Sequence, residues 1–288
     1  MFLGARPVAS APAAPAAVML GAPYDRTSSF RRGARFGPAA IRWASQSVES
    51  YSPVLDRDLE ELVLTDRGDL EIEALPAEAM VEAVRAALTP VVSEGSLPVM
   101  LGGDHSVSVG AVQAVAAGHP DLRVLILDAH LDLREEYQGS RWSHATVARR
   151  ILETVEAGRI IVLGARSGTR EEFAAARALR AAQPNLKISN DLWSVLEDGP
   201  VYLSMDMDVV DPSAAPGVGN PEPGGPTGAN LIDLLRVLAP LRIVGLDVVE
   251  VSPPYDPSGA TAVLAATILR EALLTWGPLA GAAQRPQT

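Results

Sequence analysis

Residues 201–210 read VYLSMDMDVV, an apolar run that carries two carboxylates, Asp206 and Asp208, near its end. A run that is apolar on both faces is typical of a parallel strand covered by helices on each side. An unpaired carboxylate buried at the end of such a strand would be destabilising by several kcal/mol even after relaxation. Because the basic side chains lie elsewhere in the sequence, the stretch predicts a central strand of an α/β sheet that ends at a cation site.

The same signal recurs at the ends of other apolar runs. The further segments are Gly102-Gly103-Asp104-His105-Ser106, Asp128-Ala129-His130-Leu131-Asp132 and Asp247-Val248-Val249-Glu250. Asp128, His130 and Asp132 step by two, and in extended backbone this spacing points side chains to one side of a strand. Sites in open α/β sheets lie beyond the carboxyl ends of the strands, so we expect these side chains to converge. Exposed strand-end carboxylates are the alternative for Asp132 or Asp206 alone, but three clusters at three strand ends favour a metal site.

Short apolar runs alternate with helical patterns along the chain, which predicts a three-layer αβα fold with a mainly parallel central sheet. The predicted strands cover 18–20, 98–101, 124–127, 160–163, 201–205 and 242–246. The order Thr169-Arg170-Glu171-Glu172 predicts a capping box for a helix that runs through Arg180. Thr227 is expected to cap a second helix, and 261–276 to form the closing helix. We expect a flexible arm over 1–17, a single domain over 18–278 and a loose tail over 279–288.

The composition limits the partners of the protein. Its 288 residues carry a net charge of -11, which argues against nucleic acid and anionic membranes as partners and favours the approach of a small cation. No apolar run has the length of a membrane span, and the proline-rich start is unlike a signal peptide, so we expect a cytoplasmic protein. The absence of cysteine excludes disulfides and thiolate metal sites.

Nitrogen and oxygen ligands must therefore hold the metal. The predicted ligands are two imidazoles and four carboxylates: His105, Asp128, His130, Asp132, Asp206 and Asp208. A carboxylate-rich, thiol-free set suits Mn²⁺ or Mg²⁺ better than Zn²⁺, and the imidazoles favour Mn²⁺. Such a set suits two cations better than one, so we predict two Mn²⁺ per chain. A pair of ions can hold a water between them, lower its pKa and fix it as the nucleophile of a hydrolysis.

Together these motifs resemble the ureohydrolase family of arginases and agmatinases. The likeness rests on Gly-Gly-Asp-His-Ser, Asp-Ala-His-x-Asp, Ser-x-Asp-x-Asp-x-x-Asp-Pro-x-x-Ala-Pro-Gly and Asp-Val-Val-Glu-x-x-Pro, in this order. It extends from Gly21 to the helix after Thr261, and Pro221-Glu222-Pro223-Gly224-Gly225 is nearer to the agmatinase branch. The resemblance implies an arginase-like fold and the hydrolysis of agmatine to putrescine and urea, a step of polyamine biosynthesis.

The resemblance also implies roles for individual side chains. His105 and Asp132 would belong to one metal and His130 and Asp208 to the other, with Asp128 and Asp206 bridging the two. His144 would deliver a proton to the leaving amine, which suits the pKa of histidine, or it could merely cap or pack at a helix start. Glu250 would accept two N–H bonds from a planar guanidinium, or it could be an ordinary strand-end acid.

The residues expected near the rest of the substrate give conflicting indications. Arg134 stands where arginases have an Asn that binds the amino-acid end of the substrate, which argues against arginine. Pointing into the site, Arg134 would repel an amine and attract a carboxylate, but beyond a strand end it could turn toward Glu135 or Glu136, and we therefore favour agmatine. Those two acids and Tyr137 could themselves bind an amine tail or form a solvated stretch. Asn220 replaces a residue that is often Thr in the family and is expected near the guanidinium.

Other functions stay open at this point. A ureohydrolase could act on aminopropyl-agmatine, a guanidino acid or a formimino compound, and a metal-binding scaffold could keep the fold without turnover. We expect a small cationic guanidino compound as the ligand. The family implies a homo-trimer or homo-hexamer.

Overall fold

A nine-stranded parallel sheet lies at the centre of the computed structural model, which describes residues 1–7, 17–179 and 182–278. The strands are β1 (Arg6–Pro7), β2 (Ala17–Ala22), β3 (Tyr51–Ser52), β4 (Arg57–Asp58), β5 (Leu64–Asp69), β6 (Leu97–Gly102), β7 (Arg123–Leu127), β8 (Ile160–Leu163), β9 (Ala182–Gln183), β10 (Val201–Asp206) and β11 (Ile243–Val249). β3 and β4 form a separate antiparallel pair. The other strands follow the order β1-β5-β2-β6-β11-β10-β7-β8-β9.

Helices cover both faces of this sheet. They are α1 (Gly37–Ser45), α2 (Ala77–Ser93), α3 (Val107–Gly118), α4 (Val147–Ile151), α5 (Arg170–Leu179), α6 (Asn190–Glu197), α7 (Gly228–Leu238) and α8 (Ala260–Trp276). One apolar core contains residues of α1, α6, α7 and α8 with Leu203 of β10, and the other contains residues of α2 to α5 with Tyr202. Neighbouring residues of β10 thus face opposite cores, as the two-residue period of a strand requires. The predicted three-layer αβα fold is confirmed.

The six predicted strands are all present, with ends shifted by up to three residues. β11, for example, continues to Val249 rather than ending at residue 246. Sequence reasoning missed β1, β5 and β9 of the central sheet and the separate pair of β3 and β4. β5 reads LTDRGD and contains no apolar run, while β1 and β9 have two residues each, so none of them carries a recognisable strand pattern.

The predicted helix caps are confirmed. At the start of α5 the N–H of Glu172 donates to Thr169 Oγ1 at 3.2 Å, and Glu172 Oε2 accepts from the N–H of Thr169 at 2.9 Å. Thr227 and Asn230 form the same reciprocal pattern at α7. The expected helix end at Arg180 lies outside the described residues. Among the described helices, none is both long enough and apolar enough to cross a membrane.

The ends of the chain are predicted to be a flexible arm over 1–17 and a loose tail over 279–288. Residues 8–16 and 279–288 lie outside the described part of the chain. Residues 1–7 contact the sheet, because Phe2 is 2 % exposed and donates its N–H to Asp66 Oδ2 at 2.9 Å. Arg6–Pro7 pairs with β5, and Arg42 of α1 donates to both oxygens of Asp66. Residues 1–7 are therefore packed against the sheet, whereas the sequence predicts that they belong to a flexible arm.

The four strands that carry the acidic segments lie side by side. β6, β11, β10 and β7 are consecutive neighbours in the centre of the sheet. Their register pairs Met205 with both Leu127 and Val248, and Val248 with Leu101, so the strands end at nearly the same level. The side chains that follow each strand therefore meet at one edge of the sheet.

Candidate metal centre

A first group of ligand atoms surrounds one imidazole nitrogen at this edge. His105 Nδ1 lies 3.0 Å from Asp128 Oδ2 and 3.2 Å from Asp132 Oδ2. Asp206 Oδ2 lies 3.3 Å from the same nitrogen. The nitrogen is buried, yet it forms no well-oriented hydrogen bond within the described residues. A buried polar atom without a hydrogen bond needs another partner, and the surrounding carboxylate oxygens indicate a cation.

A second group lies beside the first and shares one residue with it. His130 Nδ1 lies 3.0 Å from Asp208 Oδ2 and 3.4 Å from Asp128 Oδ1. Asp128 therefore directs one oxygen at each histidine. Grouping by ligand atoms gives the same result, since His105, Asp128 and Asp132 form one candidate site and Asp128, His130 and Asp208 the other.

These side chains do not converge through extended backbone, contrary to the expectation drawn from their step of two. β7 ends one residue before Asp128, and Asp132 has a left-handed φ of 50°. Asp208 lies in a short 3-10 turn, and its N–H donates to Asp206 Oδ1 at 2.8 Å. In the same way the N–H of His130 donates to Asp128 Oδ1 at 2.6 Å. Each leading aspartate thus folds the turn that brings the next ligand inward.

Negative charge dominates this edge of the sheet. The buried carboxylates here belong to Asp104, Asp128, Asp132, Asp206, Asp208, Asp247 and Glu250. Within the described chain, the ion pairs of this set involve histidine and no arginine or lysine. Burial and the nearby charge of Asp128 raise the pKa of Asp132 to about 7. So many buried carboxylates require positive charge, and a nitrogen and oxygen donor set without thiols fits divalent cations.

The nearby carboxylates raise the pKa of both histidines, which favours the protonated, positively charged form of each ring. Burial would lower the pKa of His105, but Asp128, Asp132 and Asp206 raise it well above its usual value. Burial is likewise outweighed at His130, whose pKa is raised by its aspartate neighbours. A histidine ligand must be deprotonated, so metal binding here would release protons and strengthen as the pH rises.

Three buried side chains support His105 from its other nitrogen. His105 Nε2 lies 3.1 Å from Ser204 Oγ, which donates to Asp247 Oδ1 at 2.7 Å. Tyr202 OH donates to Asp247 Oδ2, also at 2.7 Å. Because the Ser204 hydroxyl donates to Asp247, its oxygen is left to accept a hydrogen bond from Nε2–H. When the ring gives up its second proton on metal binding, Nδ1 therefore has the lone pair that faces the carboxylates. Sequence reasoning did not assign Ser204 and Asp247 to the site, because the hydrogen bond between them joins residues of two different strands.

His144 begins a helical turn, as one of the two alternatives held, but the cap of that turn is Ser143. The ring nitrogens lie 3.2 Å from Ser29 Oγ and 3.3 Å from Ser143 Oγ. The N–H of His144 donates to Thr27 Oγ1 at 2.9 Å, and Thr27 in turn donates to Asp104. Burial lowers the pKa of His144, although the charge of Asp104 opposes the shift. The imidazole is therefore mainly neutral at neutral pH and able to accept a proton.

Glu250 follows β11 and is 3 % exposed. Its φ of 64° turns the chain, and its Oε1 accepts the N–H of His105 at 2.8 Å. Its Oε2 faces Gly219, where an added Cβ would lie 2.9 Å from that oxygen, so a larger residue would crowd it. Asn220 follows this glycine and lines the adjacent cleft. One oxygen of Glu250 is thus directed toward the loop that carries Asn220.

A cleft of about 250 Å³ opens beside the ligand groups. Its lining includes Ser29, His130, Asp132, Arg134, Tyr137, His144, Thr169, Glu172 and Asn220. Arg134 Nε lies 3.4 Å from Glu172 Oε2, and the guanidinium lies 4.7 Å from the centroid of the Tyr137 ring. The expectation that Arg134 turns toward Glu135 or Glu136 is wrong, because Glu135 binds two other arginines and Glu172 is the partner of Arg134. Sequence reasoning gave Glu172 a capping role alone.

Known proteins are similar to this chain in sequence and in fold. The family model described as the Arginase family matches residues 15–275. The chain is similar to the agmatinase of Bacillus anthracis, with 40 % identity over 264 residues that cover 90 % of this chain and 91 % of that protein. The structure of the agmatine ureohydrolase of Thermoplasma volcanium has a TM-score of 0.81 and 38 % identity, and the match covers 91 % of this chain and 90 % of that one. Proclavaminate amidino hydrolase from Streptomyces clavuligerus gives a TM-score of 0.85 at 33 % identity, with 96 % of each chain covered.

Proposed function

The chain belongs to the arginase family, and from this we propose that it is an agmatinase, which hydrolyses agmatine to putrescine and urea. The family and the agmatinase relatives make it a ureohydrolase that acts on guanidino compounds. Agmatine is the substrate that the identity to those relatives supports best. The family depends on a binuclear metal centre, and the two candidate ligand groups agree with this requirement.

One observation carries the proposal: the two oxygens of Asp128 face the imidazoles of His105 and His130 at 3.0 and 3.4 Å. We assign one ion to His105 and Asp132 and a second to His130 and Asp208, with Asp128 and Asp206 between them. Carboxylates and imidazoles without thiols support Mn²⁺. When bound, such a pair supplies a nucleophile at neutral pH by lowering the pKa of a water molecule.

The side chains of the protein would bind the guanidinium and move the proton. We assign the guanidinium to the space between Glu250 and the loop at Asn220, because Glu250 Oε2 accepts no hydrogen bond from the described residues and faces that loop. We assign proton transfer to His144, which lines the cleft: its lowered pKa leaves the ring neutral at first, so it would take up the proton that the attacking water loses and pass it to the leaving amine.

The position of Arg134 supports a second candidate substrate, a guanidino acid. Its side chain lines the cleft and stays 36 % exposed, and a guanidinium there would attract a carboxylate tail. The similarity to proclavaminate amidino hydrolase agrees with a substrate other than agmatine. We nevertheless propose agmatine, because Glu172 offsets the charge of Arg134 and the cleft is not left with an unpaired cation.

Urea release by the Mn²⁺-loaded protein tests this proposal directly. The panel is agmatine, arginine and 4-guanidinobutyrate, which release urea, and a formimino amino acid, whose hydrolysis is followed by the formamide that it releases; each is assayed at the same metal content. We expect agmatine to exceed the others in kcat/KM by at least about a hundredfold, equal to about 2.7 kcal/mol. If the protein preferred 4-guanidinobutyrate, that compound and not agmatine would be the substrate. Two bound metals without turnover of any compound would instead support the non-catalytic scaffold.

Assembly and location accompany this proposal as predictions. We propose a homo-trimer or homo-hexamer, which mass measurement in solution would test. A cytoplasmic location is likewise proposed, on the likeness to bacterial agmatinases.

A further inference from the structure

One wall of the cleft carries an ion pair formed by residues from two different segments. Arg134 follows the ligand segment 128–132, and Glu172 lies in the first turn of α5. Arg134 Nε and Glu172 Oε2 are 3.4 Å apart, with the two side chains 36 % and 6 % exposed. Both residues line the cleft beside the candidate ligands His130 and Asp132. Any substrate held by its guanidinium at the metal centre would direct the remainder of its chain into this cleft.

Glu172 is fully engaged by the protein itself. Its Oε1 accepts the N–H of Leu133 at 3.1 Å, and its Oε2 accepts the N–H of Thr169 at 2.9 Å. A buried carboxylate that already receives two N–H groups and faces a guanidinium has little capacity left to bind a substrate amine. Its negative charge therefore acts mainly on Arg134, its nearest cation.

Arg134 is held in place but keeps free donors. Its guanidinium stacks over Tyr137 at 4.7 Å, and Tyr137 in turn contacts the His144 ring edge-on at 5.7 Å between centroids. Nε is the atom that approaches Glu172, and no described residue accepts a hydrogen bond from the two Nη groups. An arginine with both Nη groups open is suited to bind a carboxylate through two parallel hydrogen bonds. Without a compensating charge, this wall would select carboxylate tails and repel amines.

We propose that Glu172 determines which substrate tails the cleft accepts, because it fixes Arg134 and neutralises its charge. With the pair intact the wall has no net charge, so the ammonium end of agmatine is not repelled. With the Glu172 charge removed, Arg134 presents an uncompensated guanidinium and favours a tail that ends in a carboxylate. The inference rests on the proposed ureohydrolase activity, but it holds whichever guanidino compound the parent enzyme prefers.

Glu172→Gln tests the proposal with three substrates of similar length: agmatine, 4-guanidinobutyrate and the uncharged n-butylguanidine. Glutamine keeps the size of the side chain and has one acceptor oxygen for the capping-box bond from Thr169, so α5 should still form, but the bond from the Leu133 N–H is lost. We expect the ratio of kcat/KM for agmatine to that for 4-guanidinobutyrate to fall by about a hundredfold relative to the parent. The value for n-butylguanidine should stay within about twofold, and the changes should lie mainly in KM because the tail does not react.

Two further variants separate a charge effect from a structural one. Glu171→Gln removes an exposed carboxylate from the same helix turn and should leave the ratio unchanged. Arg134→Met in the Glu172→Gln background should abolish the gain for 4-guanidinobutyrate, because the guanidinium that reads the carboxylate is gone. Should Glu172→Gln fail to fold, Arg134→Met alone remains informative: it leaves Glu172 uncompensated and should raise the preference for agmatine.

The three substrates distinguish a charge effect of Glu172 on the substrate tail from a general loss of activity. A uniform loss of kcat/KM for all three compounds in Glu172→Gln, or an unchanged ratio in a folded variant, would overturn the proposal. If the parent turns over another compound and not agmatine, the proposed substrate fails, and the ratio is then taken from calorimetric Kd values of agmatine and 4-guanidinobutyrate, whose change in Glu172→Gln still decides the role of Glu172. If the parent turns over none of them, calorimetric Kd values of the three compounds for the Mn²⁺-loaded protein give the same ratio.

Discussion

Replacing Ser204 with alanine tests how far the buried hydrogen bonds behind His105 support metal binding. Ser204 Oγ lies 3.1 Å from His105 Nε2 and donates to Asp247 at 2.7 Å. Both Ser204 and His105 are almost completely buried, so water cannot easily replace the lost hydroxyl. In Ser204→Ala the ring keeps its contacts with the carboxylates but loses the acceptor that sets its tautomer and orientation.

The expected size of the effect follows from two independent estimates. Loss of a hydrogen-bond partner behind a metal-bound histidine lowers metal affinity by about 10- to 100-fold, which is about 1.4 to 2.7 kcal/mol. A buried N–H left without a partner is destabilising by about 1–3 kcal/mol. Because His105 is 1 % exposed, we expect a value in the upper half of the first range.

Tyr202→Phe is the matched control for this experiment. Tyr202 OH also donates to Asp247 at 2.7 Å and is equally buried, but it makes no hydrogen bond to His105. Both variants remove one hydroxyl from the same carboxylate and should lower the melting temperature of the metal-free protein, Ser204→Ala by more because it also leaves the Nε2–H of His105 without an acceptor. Calorimetric titration of metal-free protein with Mn²⁺ should then show weaker binding in Ser204→Ala, with Tyr202→Phe close to the parent.

Equal Mn²⁺ affinities in the two variants would refute the reasoning. Such a result would mean that the carboxylates around Nδ1 orient the imidazole without help from behind. A Ser204→Ala protein that retained its affinity but lost only stability would lead to the same conclusion.

Three further predictions concern the shared ligand, the proton carrier and the N-terminal anchor. Asp128→Asn should reduce the metal content from two ions to fewer than one per chain by elemental analysis and abolish activity, because Asp128 faces both histidines; retention of both ions would exclude a bridging role. His144→Ala should keep its metal content and lose about two to four powers of ten in kcat, and a parent-like rate would exclude His144 as the proton donor. Asp66→Asn should lower the free energy of unfolding by about 3 kcal/mol, since it leaves Arg42 buried with one partner fewer. Burial would raise the pKa of Asp66, but Arg42 lowers it, so this stabilisation is fully present above the ordinary value of 3.8 and is lost as the pH falls through the folded value. Chemical unfolding of parent and variant should therefore converge in strongly acidic buffer, and a constant difference would contradict the assignment.

The apolar runs were sufficient to predict the central sheet and the edge at which the site lies. Each central strand is buried on both faces, so the free energy of burial demands a continuous apolar sequence, and this demand is visible without a structure. The edge strands do not need a continuous apolar sequence, because they are less completely buried. β5 carries Asp66, which takes part in the contact with Arg42 and Phe2, and its polar sequence follows from that role.

Contacts between distant segments were beyond prediction for a physical reason. The sequence shows that Arg134 is charged, but its partner is chosen by the packing of α5 against the ligand segment, which brings Glu172 to it. The same holds for Ser204 and Asp247, whose hydrogen bond depends on the register between β10 and β11. Strands and helix caps are determined by residues close together in the sequence. These side-chain pairs depend instead on how whole strands and helices pack against one another.

The spacing of two between ligands shows that a correct prediction can rest on the wrong cause. The side chains do converge, but the reason is a turn and not the alternation of a strand. Asp128 Oδ1 accepts the N–H of His130, and Asp206 Oδ1 accepts the N–H of Asp208, so the same local structure is built twice from residues two apart. In both copies the leading aspartate keeps its other oxygen for His105 Nδ1, at 3.0 and 3.3 Å, while the second residue supplies the ligand atom of the other group. This equivalence supports the proposal that Asp206, like Asp128, would bridge the two ions. It also explains the step of two, because a side chain that folds its own turn reaches the N–H two residues ahead.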